Sequence, residues 1–125
     1  MFVLDERIRP DGSLARTRAA WRGDHLALED DDGTAGALSL VAVDRVMCRY
    51  GRPLDPDIAL DDESLPCGEY QLRRLRFHAI VDAEARDYLV WQRPDGEPLA
   101  CLAATAAAAL RYLVLRLRTE PTSGN

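Results

Sequence analysis

Hydrophobic and polar positions alternate in short stretches along the first two-thirds of the chain and then change to a helical period. In residues 2 to 9, Phe2, Leu4 and Ile8 fall on one face and Val3, Asp5 and Arg7 on the other, as in a half-buried strand. Residues 14 to 22 place Ala15, Thr17, Ala19 and Trp21 inward and Arg16, Arg18 and Arg22 outward. The same residues also fit a short helix capped by Ser13, because Leu14, Thr17, Arg18 and Trp21 share a helical face. The turn at Gly23 and the alternation His25-Leu26-Ala27-Leu28-Glu29 favour a hairpin. Ala37 to Val41 reads as a strand. Val43, Val46, Met47 and Tyr50 recur at helical spacing before Gly51, which predicts a short helix over 42–50.

Residues 52 to 69 interrupt the pattern with Pro53, Pro56, Pro66 and Gly68 among Asp55, Asp57, Asp61, Asp62 and Glu63. A connection of that length is commonly functional or mobile. Residues 70 to 81 alternate again, with Leu75, Phe77, Ala79 and Val81 on one face. Residues 86 to 93 answer with Leu89 and Trp91, and Asp82 to Ala85 joins the two as a hairpin. Arg93-Pro94-Asp95-Gly96 repeats the turn tetrapeptide Arg9-Pro10-Asp11-Gly12. After it the spacing predicts a helix from Pro98 to Arg118. Leu99, Leu102, Ala103, Ala106, Leu110, Leu113 and Leu117 form its apolar stripe, and Pro121 stops it.

These elements give the class α+β: a mostly antiparallel sheet or partly closed barrel with a packed C-terminal helix. A meander of strands followed by one closing helix resembles the general plan of pleckstrin-homology barrels. Residues 1–118 are expected to form a single domain and 119–125 a flexible C-terminal tail. At 125 residues, with 47% hydrophobic and 30% charged, the chain suffices for one core and is not a disordered tail.

Charge and residue usage narrow the chemistry. The net charge is -5, which argues against nucleic acid as a partner. Acids concentrate in the middle: residues 24 to 69 hold twelve acids against three Arg. All 16 basic residues are Arg, so there is no Schiff-base Lys and no phosphate-loop Lys. Such usage points to a GC-rich, bacterial coding sequence. The three cysteines, Cys48, Cys67 and Cys101, form no C-x-x-C pair and no disulfide framework. The N-terminus turns charged too early for a signal peptide, and the apolar run from Pro98 ends at Arg111, too short to span a membrane. A cytoplasmic location with reduced thiols follows as the expectation.

No catalytic residue, metal site or cofactor emerges from the spacing. His25 and His78 stand far apart. Glu29-Asp30-Asp31-Asp32-Gly33 fails the EF-hand pattern, which needs a Glu where Ser39 stands. This run and the acids from Asp55 to Glu63 read as solvated loop charges. Arg18-Ala19-Ala20-Trp21-Arg22 is similar to the first element of cyclic-dinucleotide-binding PilZ domains, but Asp32-Gly33-Thr34-Ala35-Gly36 departs from the second. Cys67, between Pro66 and Gly68 in an expected loop, is the nearest approach to a nucleophile, and needs Arg73 or His78 beside it. Tyr70, Leu72, Arg74, Arg76 and His78 are expected on the strand face opposite the core, where Arg forks suit phosphate or carboxylate.

The leading expectation is therefore a small non-catalytic interaction protein, of adaptor, chaperone or inhibitor/immunity type, whose acidic middle steers a basic protein partner. The alternative is a small barrel that binds an anionic or phosphorylated ligand through Arg74, Arg76, His78 and Tyr70. A Cys67-dependent enzyme ranks third. Open sheet edges would favour a homodimer.

Overall fold

The computed structural model describes residues 2–58, 60, 63–77 and 84–119. It is an α+β protein of two antiparallel sheets and two helices. Strands β1 (Phe2–Ile8), β2 (Leu14–Arg22), β3 (His25–Asp30) and β4 (Ala35–Ser39) form a four-stranded meander that leads into α1 (Leu40–Tyr50). Then come β5 (Arg52–Pro53), β6 (Ser64–Cys67), β7 (Tyr70–Phe77), β8 (Arg86–Gln92) and β9 (Leu99–Leu102), and finally α2 (Ala103–Thr119). The second sheet has the order β5-β9-β8-β7-β6. Each half of the chain thus contains four consecutive antiparallel strands followed by a helix.

In β1 the register shifts. Val3 pairs with Arg18 and Asp5 with Thr17, so Leu4 is an extra residue bulged into the interior. Beyond the bulge the strand phase reverses. Asp5 and Arg7 turn inward, and Ile8, expected on the core face, is 77% exposed. Strand β2 resolves its ambiguity as the alternation predicts, with Ala15, Thr17 and Ala19 buried. Gly23, at φ +69°, and Asp24 form the two-residue loop into β3, where Arg22 pairs with His25.

Helix α1 begins two residues earlier than its spacing predicts, because the Ser39 hydroxyl caps it by accepting from the Ala42 N–H. Gly51 ends it for a reason other than a left-handed turn. Its φ is −82°, but a Cβ there would lie 2.5 Å from the Met47 carbonyl oxygen and 3.1 Å from Leu99 Cβ. The segment 52–69 is not one long loop, since it contains β5 and β6, and Gly68-Glu69 turns tightly into β7.

Two expectations near the C-terminus are corrected. On β7, Leu72 pairs with Trp91 and Arg74 with Leu89, both partners in the core. The face of Tyr70, Leu72 and Arg74 is therefore the core face, not the opposite one. Leu75 is buried on the other side, so β7 carries apolar residues on both faces and its phase is not decided by alternation. His78, Ala79, Val81, Asp82 and Ala83 lie outside the described residues. The predicted helix start at Pro98 is also too early: Leu99 to Leu102 form β9, pairing Trp91 with Leu99 and Leu89 with Cys101. Helix α2 starts at Ala103 and buries Ala103, Ala106, Ala107, Leu110 and Val114, while Leu117 is exposed. Of the tail expected over 119–125, Thr119 is the last residue of α2 and the rest lies outside the described residues.

Both sheets share one core with the helices. Helix α2 packs on β1, β3 and β4 of the first sheet and on β8 and β9 of the second, and α1 packs on β3, β4, β9 and α2. The approach to β4 is close enough that a Cβ on Gly36 would fall 2.6 Å from Val114 Cγ1. Strands β2 and β6 also touch, which ties the two sheets together directly.

Candidate functional site

The helices bury one side each, and the opposite side of α2 is where the sequence departs from an ordinary surface helix. Ala104, Ala108, Tyr112 and Leu115 follow one another on a single exposed face at spacings of four, four and three residues. That stripe carries no charged residue, although Thr105 and Arg116 beside it are exposed too, and α2 contains no acidic residue. Tyr112 is 65% exposed. A surface helix normally opposes its core stripe with charged and polar side chains.

Between α1 and α2 runs a groove of about 280 Å³, walled by Arg45, Arg49 and Tyr50 on one side and Tyr112, Leu113 and Arg116 on the other. It adjoins a shallow hollow of about 540 Å³ where Tyr50 and Tyr112 meet Ala104 and Ala108. The Arg49 guanidinium lies 5.5 Å from the Tyr50 ring centroid, close enough for a cation–π contact that orients both. Below the groove, α1 is anchored by Asp44, which accepts a hydrogen bond from Trp91 Nε1 at 2.9 Å. Trp91 is fully buried and stacks on Tyr70, with centroids 4.9 Å apart.

The residues singled out from the sequence take other positions. Tyr70 is half-buried in that aromatic stack. Arg74 joins the sheets: Nη2 pairs with Asp87 at 3.0 Å and Nη1 reaches Glu6 of β1 at 3.5 Å. Arg76 is 70% exposed and its Nε lies 3.4 Å from Asp87. Strand rise alone sets Tyr70 roughly 13 Å from Arg74, so the stack and the arginines do not form one cluster. His78 lies outside the described residues.

Cys67 is not in a loop. It ends β6, fully buried, and burial pushes its thiol up to about 11. At neutral pH it is a protonated core residue, the opposite of an activated nucleophile. Cys101 is likewise buried and its thiol is pushed upward by burial, whereas Cys48 is exposed.

The acidic run at 29–32 is more structural than its composition implied. Asp30 is only 5% exposed. Its two oxygens accept from Arg7 at 3.0 and 2.9 Å, and Oδ1 also accepts from the Thr17 hydroxyl at 2.7 Å. Arg111 of α2 donates to the same Thr17 oxygen at 2.9 Å. Asp31 pairs with Arg18, and Asp32 with Arg7 and Arg9. The signal that was available is the inward phase of Thr17 on β2, which calls for a polar partner across the strand.

Neither a protein-family model, nor a curated protein, nor a solved structure matches this chain.

Proposed function

We propose that the chain is a non-catalytic protein-binding module, of adaptor, chaperone or inhibitor type, that holds its partner on the face formed by α1 and α2. One observation carries this reading: the outward stripe of α2, Ala104-Ala108-Tyr112-Leu115, is apolar and exposed on a helix whose other side already fills the core. Contiguous exposed apolar surface of that kind marks interaction sites. The two tyrosines and the arginines of the groove are residue types that supply interface hot spots. In this reading the two sheets serve as a rigid frame of pleckstrin-homology-like plan that presents the helices.

A photo-reactive phenylalanine analogue placed at Tyr112, with the same analogue at Ile8 as control, tests it in cells expressing the chain. A discrete heterologous protein adduct at position 112 and none at position 8 is the expected result. Equal adducts at both positions would overturn the reading.

A second reading, a site for an anionic small ligand, has one observation in its favour. Arg76 and Arg86 line a cleft of about 340 Å³ together with Ala103 and Ala104, whose backbone opens the N-terminal turn of α2, and with the carboxylates of Asp5, Glu84 and Asp87, which oppose an anion. Thermal-shift titration with phosphate and nucleotides tests it. A midpoint rise that R76A abolishes would support it, and flat midpoints with every anion would remove it.

A further inference from the structure

The charge around the groove specifies its occupant. Resting on the docking-face reading above, we infer that the groove takes a short acidic segment of another protein, an amphipathic helix lying along α1 and α2. The two helices carry five Arg against the single acid Asp44, a net +4, whereas the rest of the chain carries eleven Arg against twenty acids, a net −9. On the groove itself that charge is carried by Arg45, Arg49 and Arg116, with no acid among the lining residues, whereas Arg111 turns away to donate to Thr17. Asp44 is already committed to Trp91. Arg45 and Arg49 stand one turn apart on the groove wall, both exposed, and neither has a carboxylate partner among the described residues. A positive rim around an apolar floor is complemented by apolar anchors flanked by Asp and Glu.

Size and shape agree with a helix. From Ala104 to Arg116 the α2 wall extends about 18 Å at 1.5 Å per residue, which matches roughly twelve residues of helix. The small side chains of Ala104 and Ala108 let another backbone approach closely.

Other occupants fit less well. A second copy in a two-fold contact brings the same patch against itself, setting Arg45 and Arg49 against their own equivalents. An anionic membrane or a nucleic acid presents an extended negative surface that the −9 remainder of the protein repels, whereas a short segment meets only the groove.

Selection from a displayed library of random peptides of about twelve residues against the intact chain tests the inference. The expected winners carry net negative charge with apolar residues at helical spacing. Replacing Arg45 and Arg49 together by Ala weakens them by roughly two- to thirty-fold, since exposed ion pairs contribute about 0.2–1 kcal/mol each. With R45E and R49E combined, selection switches to basic peptides. Both arginines are exposed, so an unchanged thermal midpoint verifies that these variants fold. Neutral or basic winners on the native chain that are lost with Y112E overturn the acidic occupant but leave the docking face standing. Winners indifferent to Y112E overturn both. No enrichment overturns the inference, as does self-association through position 112. Binding instead to phosphatidylserine vesicles or to oligothymidylate, abolished by Y112E, overturns it too.

Discussion

Trp91→Ala is expected to lower the unfolding free energy by about 3–5 kcal/mol, the usual range for emptying a fully buried Trp site. The effect falls at the upper end because three supports disappear together. The indole fills the space between the second sheet and α1, it stacks on Tyr70, and its N–H satisfies Asp44. In a domain whose total stability is of order 5–15 kcal/mol, this brings the variant close to the threshold of unfolding. Trp91→Phe separates the contributions. It keeps an apolar ring under Tyr70 but leaves the half-buried Asp44 carboxylate with only the long, weak contact from the Cys48 thiol, a loss of about 1–3 kcal/mol. Urea titration of both variants measures the difference. A loss under about 1 kcal/mol for Trp91→Ala would mean that the core is not built around this residue. Because Asp44 sits on α1, Trp91→Phe also loosens the wall that carries Arg45 and Arg49, so groove binding falls with it.

The parts of this fold legible in the sequence were those where one residue type per face decides the phase. In β2 the arginines and the small residues separate onto two faces, although the same spacing also fits a short helix until pairing with β1 and β3 decides it. Three errors have a common physical origin in tertiary context. A bulge at Leu4 inserts one residue and turns Ile8 outward, and no local pattern announces it. On β7, Leu72 and Leu75 are both buried, on opposite faces, so alternation alone assigns the arginines to either side. In β9, Leu99 and Cys101 alternate for only four residues before α2 begins, and four residues satisfy a strand and a helix equally. Pairing with β8 decides the matter, and pairing is non-local.

The candidate site was half legible for a different reason. The absence of acids from residues 103–119 and the second apolar stripe Ala104-Ala108-Tyr112-Leu115 are sequence facts. What they do not reveal is that only one face finds a core. Burial of Ala106, Ala107 and Leu110 against the sheets leaves Ala104, Ala108 and Tyr112 outside, and the distinction depends on how α2 meets β4 at Gly36. The acidic run was misread for the converse reason: Asp30 looks like a loop charge until Arg7, inverted by the bulge, arrives above it.

Arg7→Met is expected to destabilise the protein at neutral pH by about 3–5 kcal/mol, because it strands the Asp30 carboxylate in the interior. Burial alone would raise the Asp30 carboxyl, but the fork from Arg7 and the Thr17 hydroxyl outweigh it and hold the group down at about 2. Against an ordinary value of 3.8 this depression stabilises the native state by roughly 2 kcal/mol. The contribution is complete above pH 3.8 and is lost as the pH falls through about 2. In the Met variant the part of the depression due to Arg7 is gone, so the difference between the two proteins is largest near neutrality and narrows in acid. Asp5, two residues away on the same face, works with the opposite sign. Burial raises its carboxyl despite the pull of Arg111, Arg74 and Arg7. Its charge therefore costs stability at neutral pH, and the cost is relieved as the pH falls through the raised value. Asp5→Asn should raise the thermal midpoint at neutral pH, with the gain vanishing below pH 3.8. Replacing both partners, Arg7→Met with Asp30→Leu, should recover most of the loss, since the Asp30 charge is then removed together with its partner. Thermal unfolding of the native chain and these variants from neutral pH into acid decides the question. Parallel curves for the native chain and Arg7→Met throughout would show that the pair, although buried, does not couple protonation to folding.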